Sequence, residues 1–572
     1  MFLILPLIKI TSHTLFRVGR LTLAAVMISG AGLVTTTVLA EVPVVHKATD
    51  IITTQSGKLQ GKVLPSGVQA WFGVPYAQAP LRELRWKAPQ PVNWQGLFHA
   101  DRMAPQCIQP LRNSNINHYF SHEATSEDCL YMNIWAPEAA KAGDGLPVVV
   151  WIHGGGFTIG SPSMAIYGGE PLAEKGVITI SIAYRLGILG FMAHPELTVQ
   201  SPDGASGNYG LMDQLAALRW IKQNIRQFGG DPDNVTIAGQ SAGSASVSYL
   251  QVSPLGKGLI SKVVGMSGSA FMFPITSRQD AEQTGVAIQS HFKAENINAL
   301  RHISADQILK AQRDCQLGCS GSFKAGPVVD GYVLPAQPAA LFADKAGSDI
   351  PVMLGFTRDE GFSPLGGVKS KTELTALVNQ LYPGKADEVL SRFTINTDAE
   401  AIRAGKDMAR DSTLGLSMWR WSQAQTENLT SPVFSYVFAR VHPYTAGITF
   451  ADHDPNTAGV YHTADVPYWL GTLDALNIYR ETRTYTAFDR ALSDAMQQAI
   501  VSFARSGKTA LPDGKKWAPF SPDSPKVVMW GSGDRIFQTV PWPNAEDMKF
   551  YADNPVMMTP PAPAKEGPRA RD

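Results

Sequence analysis

The sequence has little charge and no preferred sign of charge. Only 17% of its 572 residues are Asp, Glu, Lys or Arg, and Lys+Arg and Asp+Glu each number 49. A formal net charge of zero provides no field for gathering a polyanion, and there is no Lys/Arg-rich run, which argues against nucleic acid as a partner. Cysteine is scarce, at four residues, and the surroundings of His153, His453 and His462 show no metal-ligand spacing. No segment of 20–50 residues repeats, which argues against solenoids and propellers. Disorder is excluded by composition: apolar residues make up 44% and aromatics 9%, enough for a large core.

Long apolar runs are missing except at the N-terminus. There Lys9, Arg17 and Arg20 precede a charge-free run, Leu21 to Ala40, that ends in Val38-Leu39-Ala40 before Glu41. This is the layout of a secretory signal cleaved after Ala40. Ser29, Gly30, Gly32 and Thr35 to Thr37 make the run too polar for a good membrane span. The expectation is a secreted or periplasmic mature chain with no stable span, carrying 46 basic against 49 acidic residues. In such a compartment an even number of cysteines suggests two disulfides.

The chain length alone suggests two or three domains, but no long linker interrupts it. Short apolar runs alternate with amphipathic helical patterns, the mark of an α/β fold whose mainly parallel sheet has helices on both faces. Strands are expected at 148–152, 177–183, 235–238, 262–266, 352–355 and 433–438, and a helix at 211–227, where Leu211, Leu215, Leu218, Ile221 and Ile225 keep a 3.6-residue spacing. Gly229-Gly230-Asp231-Pro232-Asp233-Asn234 reads as the turn after that helix. The predicted organisation is a signal over 1–40, one large domain over 41–558, and a disordered tail over 559–572 rich in Pro, Ala and charge.

Chemistry enters at Gly239-Gln240-Ser241-Ala242-Gly243, which fits the G-x-S-x-G nucleophile elbow, with a strand before it and small residues after it. A serine hydroxyl needs a base to take its proton, and a tetrahedral oxyanion needs donors waiting for it. His153-Gly154-Gly155-Gly156-Phe157 follows a strand and can turn backbone N–H groups toward a substrate oxygen. No Lys-Ser/Thr follows, as a phosphate loop would require. Gly155, Gly156 and Ala242 are the candidate donors. Acid and base are expected downstream, in that order. Of twelve histidines, His462 stands out in Gly459-Val460-Tyr461-His462-Thr463-Ala464-Asp465-Val466-Pro467. The acid lies in Thr357-Arg358-Asp359-Glu360-Gly361, where Glu360 and Asp359 are both open on position alone.

These segments resemble the type-B carboxylesterase/lipase family, α/β hydrolases that include cholinesterases, carboxylesterases and p-nitrobenzyl esterases. Phe228 to Gly243 resembles the family's serine signature, and Glu127-Asp128-Cys129-Leu130-Tyr131-Met132-Asn133-Ile134-Trp135-Ala136-Pro137 its second signature, with Met132 as a departure. Phe72 to Ala77, Asn208 to Gln214 and Met266 to Ser269 are similar to further landmarks, so the resemblance runs from about residue 50 to about 540. It implies the α/β-hydrolase fold, with large insertions forming an active-site gorge. It also implies Ser241 as nucleophile, His462 as general base and then acid, and Glu360 rather than Asp359 as the orienting carboxylate. Gly155, Gly156 and Ala242 correspond to the oxyanion donors. The implied reaction is two-step acyl transfer on a small-molecule ester without metal or organic cofactor. Cys107–Cys129 resembles the family's first disulfide, and Cys315–Cys319 stands where a second is expected.

Two departures narrow the substrate. Cholinesterases carry a choline-stacking tryptophan between the first two cysteines, whereas residues 108–128 hold none, only Tyr119 and Phe120. Gln240 occupies the position where cholinesterases have Glu. Neutral or hydrophobic esters are the expected class. The alternatives are a lipase acting on lipid esters and a non-catalytic recognition homologue, which would lack the nucleophile.

Overall fold

The computed structural model describes residues 23–29, 32–38, 47–111, 121, 123–313, 326–451 and 453–555. Cys315, Cys319, the tail 559–572 and most of the expected signal lie outside them. The chain divides into a unit of Met1–Lys47 and a unit of Ala48–Asp572. In the first, Leu23–Ser29 and Gly32–Val38 pair as antiparallel strands. Among the described residues no helix is long and apolar enough to cross a membrane.

The second unit is built on one sheet of eleven strands: β1 (Lys62–Val63), β2 (Gln69–Pro75), β3 (Tyr131–Ala136), β4 (Leu146–Ile152), β5 (Ile178–Ile182), β6 (Gly230–Gln240), β7 (Lys262–Met266), β8 (Val352–Thr357), β9 (Val433–Phe438), β10 (Lys526–Ser532) and β11 (Arg535–Pro541). Their spatial order is β11-β10-β9-β8-β7-β6-β4-β5-β3-β2-β1. The strands from β10 to β5 in this order are parallel. The edges are not, for β11, β3, β2 and β1 pair antiparallel. The fold is thus an α/β-hydrolase architecture on a mixed sheet.

The central strands are apolar on both faces because both are covered. Along β4, Val148, Val150 and Ile152 enter one buried cluster and Val149 and Trp151 the other, the two-residue alternation of a strand. Helices α1 (Tyr209–Asn224) and α2 (Ala242–Val252) pack in the first cluster through Leu215, Leu218, Val247 and Leu250. Further along lies α3 (Asp398–Asp411), and the long α4 (Ala487–Ser506) closes the second cluster with Leu492, Met496, Ile500 and Phe503. A capping box between Thr486 and Asp489 starts α4, and Gly507 in the left-handed region ends it.

Two local expectations are corrected. The helix expected over 211–227 ends at Asn224 and tightens into a 3₁₀ turn over Ile225–Phe228. The expected turn 229–234 is largely strand, since Leu146 pairs with Gly230 and Val148 with Val235. The extra residues of β6 form an irregularity, the setting in which a strand tolerates Pro232. Cys107 and Cys129 form a disulfide.

Candidate active site

The carboxyl ends of neighbouring strands bring the expected residues to one rim of the sheet. Ser241 sits between β6 and α2 with φ 58° and ψ −123°, a backbone conformation that L-residues rarely adopt. The flanking glycines let it stand there. A Cβ at position 243 would lie 2.0 Å from the Ile152 carbonyl oxygen, and one at 239 would lie 2.4 Å from the Gly243 carbonyl. The Ser241 N–H donates to Met266 O at 2.8 Å, and its own carbonyl accepts from Ala245 N–H at 2.9 Å. The strained turn is therefore held from both sides.

Beside it runs the loop after β4. Gly155 (φ 106°) and Gly156 (φ 60°) lie in the left-handed region, and Gly155 O accepts from the N–H groups of Thr158 and Ile159. Among the described residues, the N–H groups of Gly155, Gly156 and Ala242 donate to no protein acceptor. They are available to an incoming oxygen. His153 anchors the loop rather than joining the chemistry. It is buried, stacks on Tyr184 at 4.4 Å, and its Nδ1 lies 2.9 Å from Gly154 O. Burial lowers its pKa to about 4, so the ring stays neutral.

Beyond β8, Glu360 is fully buried. Its Oε1 accepts the Thr357 N–H at 2.9 Å, and its Oε2 lies 2.5 Å from His462 Nδ1. The His462 side chain is 25% exposed and packs edge-on against Phe362 at 5.3 Å. Its Nε2 lies 3.0 Å from Gln240 Nε2. Ser241 Oγ has no hydrogen-bond partner among the described residues. The structure thus brings Ser241, the glycine loop, Glu360 and His462 to the same strand ends.

The sequence model of the carboxylesterase family matches residues 48–540. The chain belongs to the carboxylesterase family. It is a carboxylic ester hydrolase of that family. Fumonisin B1 esterase of Sphingopyxis macrogoltabida is 35% identical over 464 residues, covering 79% of this chain and 81% of that protein. Para-nitrobenzyl esterase of Bacillus subtilis (strain 168) is 32% identical over 495 residues, covering 84% and 95%. Among solved structures, a PNB esterase superposes with a TM-score of 0.70 at 30% identity, covering 88% of this chain and 100% of the other. A thermophilic PNB esterase gives a TM-score of 0.72 at 31% identity, with the same coverages.

Three residues of this carboxylesterase do more at the site than their sequence signals suggested. Asp359, the positional rival of Glu360, faces the other way and clamps the histidine loop. Its N–H donates to Val460 O at 3.2 Å, and its Oδ2 accepts the Val460 N–H at 2.8 Å. Burial alone would raise its carboxyl, but the bond from Arg358 and the charges of Arg403 and Arg358 hold it well below the usual range. Asp465 lies buried near Glu360 and accepts the Tyr436 hydroxyl at 2.7 Å. Burial pushes its carboxyl up to about 6, with Glu360 adding to the rise and Tyr436 opposing it. Gln240 points its amide at the histidine. Sequence offered only position for these residues, two of them next to motif residues and one three after His462. Their partners come from distant segments.

Proposed function

We propose that the chain is an exported serine carboxylesterase that hydrolyses neutral or hydrophobic carboxylic esters through an acyl-enzyme on Ser241. The observation that supports this most is the buried Glu360 bonded to His462 at 2.5 Å beside the strained Ser241 turn. Glu360 fixes the Nδ1–H tautomer, which leaves the Nε2 lone pair as base. Ser241 Oγ adds to the ester carbonyl carbon while its proton passes to His462 Nε2. The carbonyl oxygen, now an anion, takes the N–H groups of Gly155, Gly156 and Ala242. The intermediate collapses, and the alcohol leaves with the proton from His462. Water then adds to the acyl-enzyme, giving its proton to His462. The acid departs, and Ser241 recovers its hydrogen.

Export after cleavage at Ala40 is part of the proposal, and the Cys107–Cys129 disulfide supports an oxidising compartment. Residues 41–558 act as one hydrolase domain. The missing tryptophan over 108–128 and Gln240 in place of Glu favour uncharged alcohols over choline. Substitution Ser241→Ala keeps the fold and lowers kcat/KM for p-nitrophenyl esters by roughly 10³-fold or more. A variant with unchanged turnover would sink the reading. A panel of esters varied separately in acyl and alcohol parts then ranks the substrate class.

A further inference from the structure

Gln240 is completely buried, one residue before the proposed nucleophile, and its Nε2 faces His462 Nε2 at 3.0 Å. Two nitrogens at that distance need one hydrogen between them. Glu360 Oε2 is 2.5 Å from Nδ1, so the ring proton belongs on Nδ1 and Nε2 presents a lone pair. The Gln240 amide is then the donor. That lone pair is the one that must take the Ser241 proton, and Ser241 Oγ holds no hydrogen bond among the described residues. The groups facing the ring are Glu360 from the loop after β8, Asp465 from the histidine's own segment, and Gln240 from β6. Among the described residues, Gln240 is the one that meets Nε2.

We propose that Gln240 is a positioning residue that holds His462 in its base-competent tautomer in the resting enzyme and yields Nε2 to Ser241 when an ester enters. This rests on the proposed roles of Ser241 and His462. A donor aimed at Nε2 stabilises the neutral ring and opposes its protonation. A side chain of similar length without a donor removes that opposition. A carboxylate there does the reverse of the amide, because it accepts from the protonated ring and adds its charge.

The test is the pH dependence of kcat/KM for p-nitrophenyl acetate between pH 5 and 9 in the wild type, Gln240→Met and Gln240→Glu. Near-UV circular dichroism is recorded on each variant, and Ser241→Ala is run alongside. The acidic limb moves to higher pH by about half a unit in Gln240→Met and by about one unit or more in Gln240→Glu. Gln240→Met is uncharged and nearly isosteric, so it decides the matter if the buried carboxylate of Gln240→Glu prevents folding. Coincident limbs in folded variants, with Ser241→Ala inactive, overturn the role of Gln240 and leave the acyl-enzyme reading standing. Turnover retained in Ser241→Ala overturns that reading instead.

Discussion

Burial gives the histidines of this carboxylesterase different work. His462 keeps a quarter of its side chain in solvent beside a buried carboxylate. His153 and His442 are sealed in, and burial lowers their pKa to about 4 and about 3, the latter with help from Arg483. His442 Nε2 lies 2.7 Å from Ala464 O and so braces the segment that carries His462. The sign of the linkage follows. Below the ordinary value of about 6.5 the unfolded chain binds protons that the folded chain refuses, so stability falls as pH drops from there toward 4, by about 3 kcal/mol per ring at most over that window. Asp465, pushed up to about 6, acts oppositely, because the folded state holds its proton while the unfolded state has lost it. The urea midpoint is therefore expected to fall between pH 7 and pH 4.5, and to fall less in His442→Gln. Equal losses in the two proteins would contradict this assignment.

The elements that carry motifs were legible in the sequence because their local demands are severe. Gly243 must lack a side chain where Ile152 O approaches, and the β-branched run of β4 must be buried on both faces, so residue type alone reveals them. The segment bearing His462 was legible only as a histidine among small residues. It has no periodicity, and distant bonds position it: Asp359 from the loop after β8, backed by Arg403 of α3, grips Val460. Such partners leave no trace in local spacing. The antiparallel edges escaped for a similar reason, since β1 has two residues and gains its identity from its partners, β2 and Ala48. The grip of Asp359 predicts that Asp359→Ala lowers kcat about 10-fold or more with little change in KM, because a misplaced base costs rate before affinity. Steady-state kinetics on a folded variant would refute the grip if kcat were unchanged.

At the scale of the molecule, near-neutral charge and the fold agree. The sheet buries apolar residues on both faces and leaves its functional groups at the carboxyl ends of β4, β6 and β8. Those ends include the N–H groups of Gly155, Gly156 and Ala242, which donate to no protein acceptor among the described residues. The oxidised Cys107–Cys129 pair and the charge-free N-terminal run both support the proposed export. The proposed reaction turns on one serine, Ser241, as the carrier of the acyl group. Its most direct test is mass spectrometry of the chain after an alkyl fluorophosphonate has stopped its esterase activity. One phosphonyl group per chain is expected, on the peptide containing Ser241. Inactivation with the label on another residue, or hydrolysis that continues with Ser241 fully labelled, would contradict it.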